Sequence, residues 1–380
     1  MQQPYQDSYC QTFNSMALMM DYHRSQTSNS RWKRMPVQSL HVLPLEQHNL
    51  PEYASLPFAE PVSLAAIEDT TKNLGLAAET PDGLYPFRDT AYRTLLDRAK
   101  ISGTVLKRFT RTELADTLNL CLQKHKSDAL VLIRDEKISA VLGGDEQDYS
   151  VLTIDSLMDA LKEHLEHNFP GYRFAGGYTD HSVTTATWTL NGQRKALLSS
   201  YEKALDAHGK AGQASHVMPG IRFITSDVGA ASASVSAMLM GGKQPIRIGE
   251  VVAVKHRQQS DIAAFKKSLG MLMAQFGDVV GKLEALLDVY LNYPVDAMLA
   301  ICKKLRLPKK PALNAVEMFA QSIGDAPTSA HDVYMALQEV LFLLQCEDAP
   351  KSKLLDVEEA IVRSLNLKWE DYDLPRAGEY

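Results

Sequence analysis

The sequence predicts an α+β fold: a strand-rich mixed domain with flanking helices, followed by an all-helical C-terminal unit. Three observations carry that expectation. Short apolar runs bounded by glycine and polar turns recur between residues 129 and 255, which is the pattern of strands. After Ser260 the spacing becomes helical almost throughout. Within that part Ile262, Phe265, Leu269, Leu272, Phe276, Val279, Leu283, Leu286 and Tyr290 lie alternately three and four apart, a heptad seam that predicts one long helix. Strands followed by a block of helices indicate α+β. The chain divides into an irregular N-terminal arm at 1–60, an α+β domain at 61–258 and a helical domain at 259–380.

Each element has its own warrant. Residues 1–60 have no clear period; the polar tract from Ser25 to Ser30, the group Arg31, Trp32, Lys33, Arg34 and five prolines predict an arm with one short strand, 38–43. Residues 61–72 have a helix-like pattern, and Asp89 is placed to cap a helix over 90–99 in which Tyr92, Leu95 and Leu96 share a face. Another helix starts at Thr112. The runs 129–133 and 138–142 flank the turn Arg134-Asp135-Glu136-Lys137 and predict a hairpin. Residues 155–167 form an amphipathic helix with Leu157, Ala160, Leu161 and Leu165 on one side. Strands follow at 172–178, 183–190, 221–225, 233–239 and 251–255, with 201–208 ambiguous. Beyond the seam, helices are expected at 294–305, 312–323, 330–345 and 354–365. Gly270, Gly277 and Gly281 fall off the seam, each costing about 1 kcal/mol relative to alanine. Burial on several faces, with another backbone close to these glycines, accounts for them better than a lone coiled coil, and a subunit interface is the alternative.

Composition bounds the function class. At 380 residues, 45% hydrophobic and 23% charged, the chain is globular in type and long enough for two domains. A net charge of −6 excludes a wholly basic coat but not a basic groove on an acidic body. Cys10, Cys121, Cys302 and Cys346 have no metal-ligand spacing, which predicts reduced thiols and a cytoplasmic protein. There is no apolar run of about 18 residues and no secretory signal pattern, so no membrane partner is expected.

Strong catalytic motifs are absent: no phosphate loop, no HExxH, no GxSxG. The sequence therefore leans toward a protein that is not an enzyme, with no catalytic residues, metal or cofactor assigned. His164 and His167, beside Glu163 and Glu166, have metal-like spacing but suit a solvated helix face. His181, His208, His216 and His256 matter only if the fold gathers them. Asp145, Glu146 and Asp148 lack calcium-loop spacing, and Ser226, Asp227 and Gly229 form a polar turn.

The basic residues give a clearer signal. Arg88, Arg93, Arg98, Lys100, Lys107, Arg108 and Arg111 face only Asp89 and Asp97 within their stretch, a local balance of +5, with Tyr92 and Phe109 interleaved. Lys243, Arg247, Lys255, Arg257, Lys266 and Lys267 form a second cluster, and Lys303, Lys304, Arg306, Lys309 and Lys310 a third. Together they could line a groove along a phosphate backbone, with aromatic rings for stacking. Otherwise they are three solvated faces with no common direction.

The order of several blocks resembles the phage/plasmid-like protein family. These blocks are Ala91-Tyr92-Arg93-Thr94-Leu95-Leu96, Glu113-Leu114-Ala115-Asp116-Thr117-Leu118-Asn119, the hairpin from Leu130 to Leu142, Thr153-Ile154-Asp155-Ser156-Leu157, and Phe223-Ile224-Thr225-Ser226-Asp227-Val228-Gly229-Ala230. The similarity spans roughly residues 85–345 and rests on ordered weak blocks. Where that family often has Cys or Ser followed by Asn-Gly, this chain has Met240-Gly241-Gly242. The resemblance implies a mobile-element setting and supplies no catalytic residues.

The leading expectation is a phage or plasmid protein that binds nucleic acid, single-stranded DNA above all, and binds or anneals it as an oligomer. The alternative is a protein-binding factor, such as an inhibitor of a host defence complex. Candidate partners are thus nucleic acid, a host protein and further copies of the chain.

Overall fold

The first strand, β1 (Cys10–Phe13), is followed by α1 (Met16–Asn29), β2 (Arg31–Pro36), β3 (His41–Pro44) and the short α2 (Leu50–Tyr53). Next come α3 (Leu64–Lys72), the hairpin β4 (Leu76–Thr80) and β5 (Gly83–Pro86), α4 (Ala91–Ala99) and α5 (Arg111–Leu122). A second hairpin, β6 (Asp128–Arg134) and β7 (Lys137–Gly143), precedes α6 (Ile154–Asn168), β8 (Arg173–Asp180), β9 (Thr184–Thr189), α7 (Arg194–Ala207) and the short α8 (Ala211–Ala214). The meander β10 (Met218–Thr225), β11 (Ala233–Met240) and β12 (Ile246–Val254) leads to α9 (Ile262–Leu269), α10 (Leu272–Ala285) and β13 (Tyr290–Leu291). The chain finishes with α11 (Pro294–Lys304), α12 (Lys309–Ile323), β14 (Thr328–Ser329), α13 (Ala330–Leu337), α14 (Glu339–Cys346) and α15 (Lys351–Arg363). This computed structural model describes residues 2–375 apart from 54, 146, 147, 215, 243, 258, 259 and 325.

The fold is α+β, and its main sheets are antiparallel. A large sheet has the order β1-β8-β9-β10-β11-β12; two smaller ones are β2-β6-β7 and β3-β4-β5. Trp188, Phe223, Val235 and Ala237 line the apolar face of the large sheet, in one core that also holds Phe265, Phe276, Leu283, Tyr334 and Trp369. A second core lies between the small sheets and α4 and α5, built from Val42, Tyr85, Phe87, Leu95, Leu118, Val131 and Val141. Between the two sits a small cluster of Leu132, Ala140, Leu142 and Val228.

Local chemistry explains several elements directly. The β6–β7 hairpin turns on Asp135 and Glu136, both with positive φ (47° and 71°), as a two-residue turn of primed type requires. The helix expected from Thr112 starts at Arg111, where Thr110 and Glu113 form a reciprocal capping box. Ser63 Oγ accepts the Ala66 N–H and sets the start of α3.

Three main expectations, and some details, are corrected. Residues 1–60 are not an irregular arm: β1 joins the large sheet, β2 and β3 join the small ones, and the polar tract belongs to α1. That helix buries Met19, Met20, His23 and Gln26, and Thr27 Oγ1 donates to Asp155 on α6 (3.0 Å); tertiary contacts outweigh weak local propensity. The heptad run is not one helix. Gly270 and Met271 close i→i+3 turns onto Lys267 (3.2 Å) and Ser268 (3.1 Å) and divide it into α9 and α10. Its residues Phe265, Leu269, Leu272, Phe276, Val279, Leu283 and Leu286 are all buried in the large core, Ile262 packs at its margin, and Tyr290 is exposed. The seam is thus filled within the chain. Gly277 and Gly281, in contrast, are exposed, and no other element among the described residues comes within 4 Å of where a Cβ would stand.

The third correction concerns the division at 258/259. α9 and α10 cover the large sheet, sharing its core, because an apolar sheet face must be buried against another layer. The predicted helix 330–345 also breaks, at Gln338, into α13 and α14. All four cysteines are free thiols. Among the described residues no helix is long and apolar enough to cross a membrane.

Candidate functional site

α4 presents two unlike faces. Ala91, Thr94, Leu95 and Ala99 are buried, while Arg93, Asp97 and Lys100 face solvent and Arg98 lies between. Thr94 Oγ1 accepts the Val141 N–H (2.9 Å) and fixes the helix against β7. The helix ends on Lys100 in the left-handed conformation (φ 55°, ψ 36°), whose N–H satisfies the carbonyls of Leu96 and Asp97. Its cations therefore stand over the end of β7.

The opposite wall comes from the far end of the large sheet. β12 ends at Val254, and Lys255, His256 and Arg257 follow. His256 is buried; its carbonyl accepts the Ser150 N–H (3.1 Å), and its ring stacks on Tyr149 (5.4 Å between centroids, 11° between planes). Tyr149 stacks in turn near Trp32 (6.0 Å, 28°) and donates to the Asp227 carbonyl (3.1 Å). Ser226 Oγ accepts the N–H groups of Val228 (3.2 Å) and Ala230 (3.1 Å), shaping the turn that carries Gly229 to Ser232.

These parts enclose a cleft of about 760 Å³, with Arg93, Arg98 and Lys100 on one side, Lys255 and Arg257 on the other, and Tyr149, His256 and the 229–232 turn between. Asp97 and Asp148 are the acidic residues in its lining, so the lining carries a net +3. Arg98 stands 3.9 Å from Asp148, and its Nε is buried without a partner among the described residues. Burial lowers the pKa of His256, which keeps its ring neutral near pH 7. The arrangement suits a ligand bearing several negative charges; cations around a low-dielectric concavity reinforce one another's field.

Of the eighteen basic residues singled out from the sequence, five line this cleft. Arg88 does not: it is fully buried, its guanidinium donates to the carbonyls of Pro4 (3.2 Å) and Gln6 (3.2 Å), and it pairs with Asp7 (3.5 Å). Arg111 also has a structural role, donating to the carbonyls of Leu45 (2.8 Å) and Thr71 (2.5 Å) and pairing with Glu46 (3.2 Å). Lys107 and Arg108 are exposed on the turn after α4, outside the cleft lining. Arg247 is buried in a neighbouring cleft. Lys243 lies outside the described residues, as does Glu146. Lys266 pairs with Glu163 (2.6 Å). The third cluster surrounds the α11–α12 connection, away from the cleft lining.

The histidines are not gathered. His181 bonds the Gln6 carbonyl (2.8 Å), His208 bonds the Ala204 carbonyl (2.8 Å), and His164 and His167 bond within their own helix. Among the described residues no group of three or more His, Cys, Asp or Glu is placed to hold a metal ion. Tyr149 is the residue that sequence reasoning missed; it sits in a short polar segment with no period to mark it. No family model, curated protein or solved structure matches the chain.

Proposed function

We propose that the cleft holds the phosphate backbone of a single-stranded nucleic acid, in the mobile-element setting implied by the resemblance to phage/plasmid-like proteins, without chemistry on the strand. The supporting observation is the meeting of Arg93, Arg98 and Lys100 from α4 with Lys255 and Arg257 from beyond β12 around one concavity. A volume of about 760 Å³ falls in the range of small-ligand pockets, roughly 300–1,000 Å³. It admits a short stretch of one strand. Annealing would further need a second copy holding the complementary strand.

The test is fluorescence anisotropy with labelled single- and double-stranded oligonucleotides over a salt series. Five phosphate contacts give a log–log salt slope of roughly −3 to −4 on single strands. Arg93→Glu and Lys255→Glu, from opposite walls, should each weaken binding and flatten that slope. Binding that ignores salt, or none at micromolar protein, rejects the proposal.

The second reading, a protein-binding factor, draws on exposed apolar residues of the helical layer: Leu313 (37% exposed), Met318 (43%) and Phe342 (39%) on α12 and α14. It predicts one stoichiometric host protein co-purifying with the chain and lost on Met318→Glu.

A further inference from the structure

β12 does not alternate in the ordinary way. Its pairing with β11 passes from Ala237–Gly249 to Met238–Arg247, leaving Ile248 as an extra residue. The pairing also passes from Val235–Val252 to Ser236–Glu250, leaving Val251 as another. In a regular strand residues three apart point to opposite faces. The bulge at Ile248 brings Arg247 and Glu250 to the same face, across from Met238 and Ser236 and away from the apolar core.

This places a guanidinium where its own protein does little for it. Arg247 is 6% exposed, its Nε has no hydrogen-bond partner among the described residues, and its ion-pair contact is Glu250 at 3.9 Å. Ser236 Oγ and Glu358 Oε2 are also buried without hydrogen-bond partners among the described residues, although Glu358 Oε1 accepts from Arg222 Nη1 (2.7 Å). A buried charge is costly unless paired and hydrogen-bonded. Arg247 lines a second cleft of about 360 Å³, separated from the first by the shared turn Ala230 to Ser232 and bounded by α15.

The charge of this cleft differs in sign. Arg247 faces Glu250, Asp356 and Glu359, a net −2, which repels a strand leaving the first cleft. Burial raises the Glu250 carboxyl pKa, and Glu359 adds to the rise. Glu359 is itself paired with Arg363 (2.5 Å), so the poorly compensated charge is that of Glu250, 3.9 Å from Arg247, and of Asp356, which has no ion pair among the described residues. A ligand must satisfy both needs at once. Hydroxyls of Ser234 and Ser352 in the lining offer further donors to an oxyanion, whereas Ser182 Oγ already donates to Asp180 (2.7 Å).

We propose that the second cleft binds a small zwitterion, with its oxyanion on the Arg247 guanidinium and its ammonium facing Glu250, Asp356 and Glu359. The class is that of a free amino acid or a phosphorylated amine. The ligand is independent of the nucleic acid in the first cleft.

Calorimetric titration of the full chain tests this with glycine and O-phosphoethanolamine as zwitterions, and acetate, inorganic phosphate and methylammonium as single-charge probes. A zwitterion should bind about tenfold or more tightly than the probe sharing its oxyanion, as expected if one charge-assisted contact is added. Preference for glycine assigns a carboxylate, and preference for phosphoethanolamine a phosphate. Arg247→Lys should weaken both. The double variant Asp356→Asn, Glu359→Gln changes two exposed side chains and keeps the test open should the buried variant misfold; it should remove the zwitterion's advantage and spare acetate binding. No heat from any probe at millimolar concentration overturns the proposal. So does a single-charge oxyanion binding as well as the zwitterion, or zwitterion binding indifferent to the carboxylate variant.

Discussion

Arg134, at the end of β6, and Asp227, in the turn between β10 and β11, meet 2.5 Å apart at the junction of the two cores. Both side chains are largely buried (14% and 10% exposed). Arg134 also donates to Ser30 Oγ (2.7 Å), and the Asp227 carbonyl accepts Tyr149 Oη (3.1 Å), so one ion pair links α1's end, the hairpin and the cleft floor. Asp227→Ala leaves the guanidinium buried and unpaired, at a cost of about 3 kcal/mol. Urea unfolding should show that loss, and Arg134→Met combined with Asp227→Leu should recover most of it. Equal losses in the single and double variants would mean that the packing, not the stranded charge, matters.

His23 gives the fold a pH dependence with a definite sign. It is 3% exposed, its Nε2 has no partner among the described residues, and burial lowers its pKa from 6.5 to about 4. Between those values the unfolded chain takes up a proton that the folded chain refuses. Stability is therefore whole above pH 6.5 and falls as the pH drops toward 4, by about 3 kcal/mol at most from this group. Burial also depresses His181, to about 2, and His256, so both act in the same direction. His23→Leu should flatten the curve of melting temperature against pH across this window while leaving the neutral-pH value nearly unchanged. Parallel curves for variant and wild type would remove His23 from the account.

How much of this was legible in the sequence depends on how far apart the interacting residues lie. The β6–β7 hairpin is local, and alternation around a short polar turn marks it. The seam from Ile262 to Leu286 is also local in its spacing, so its burial is readable, but the break at Gly270 depends on how two helices fit one sheet. α1 is hidden because its polar tract is helical only through contacts such as Thr27 with Asp155, more than a hundred residues on. The basic residues of the cleft are visible as clusters. Their convergence is not, because it requires the ends of β7 and β12 to meet, and nothing local separates Arg93, which faces the cleft, from Arg88, which is buried on backbone carbonyls. Arg247 is hidden further: only the cross-strand register reveals the bulge at Ile248 that sets it on the same face as Glu250.

The seam makes a prediction of its own through Gly249 on β12. A Cβ added there would lie 2.4 Å from Val279 Cγ1 on α10, so the helix sits on the sheet only because that position has no side chain. Gly249→Ala should overpack the contact and cost about 1–3 kcal/mol. Val279→Ala in the same chain should return part of that loss, measured as the midpoint of denaturant unfolding. If Gly249→Ala is neutral, α10 rests on the sheet less closely than this contact requires.

Lys100 separates binding from stability. It ends α4 with φ at 55°, a conformation that costs a residue with a Cβ roughly 1 kcal/mol and glycine almost nothing. It is also one of the five cations of the cleft. Lys100→Gly should therefore raise the melting temperature while weakening single-strand binding and making the salt slope shallower by about 0.7, the share of one phosphate. A purely structural role predicts a changed melting temperature with an unchanged slope. A stabilised protein with a reduced slope would mean that strain at the end of α4 is tolerated because the left-handed turn holds this ammonium over the cleft.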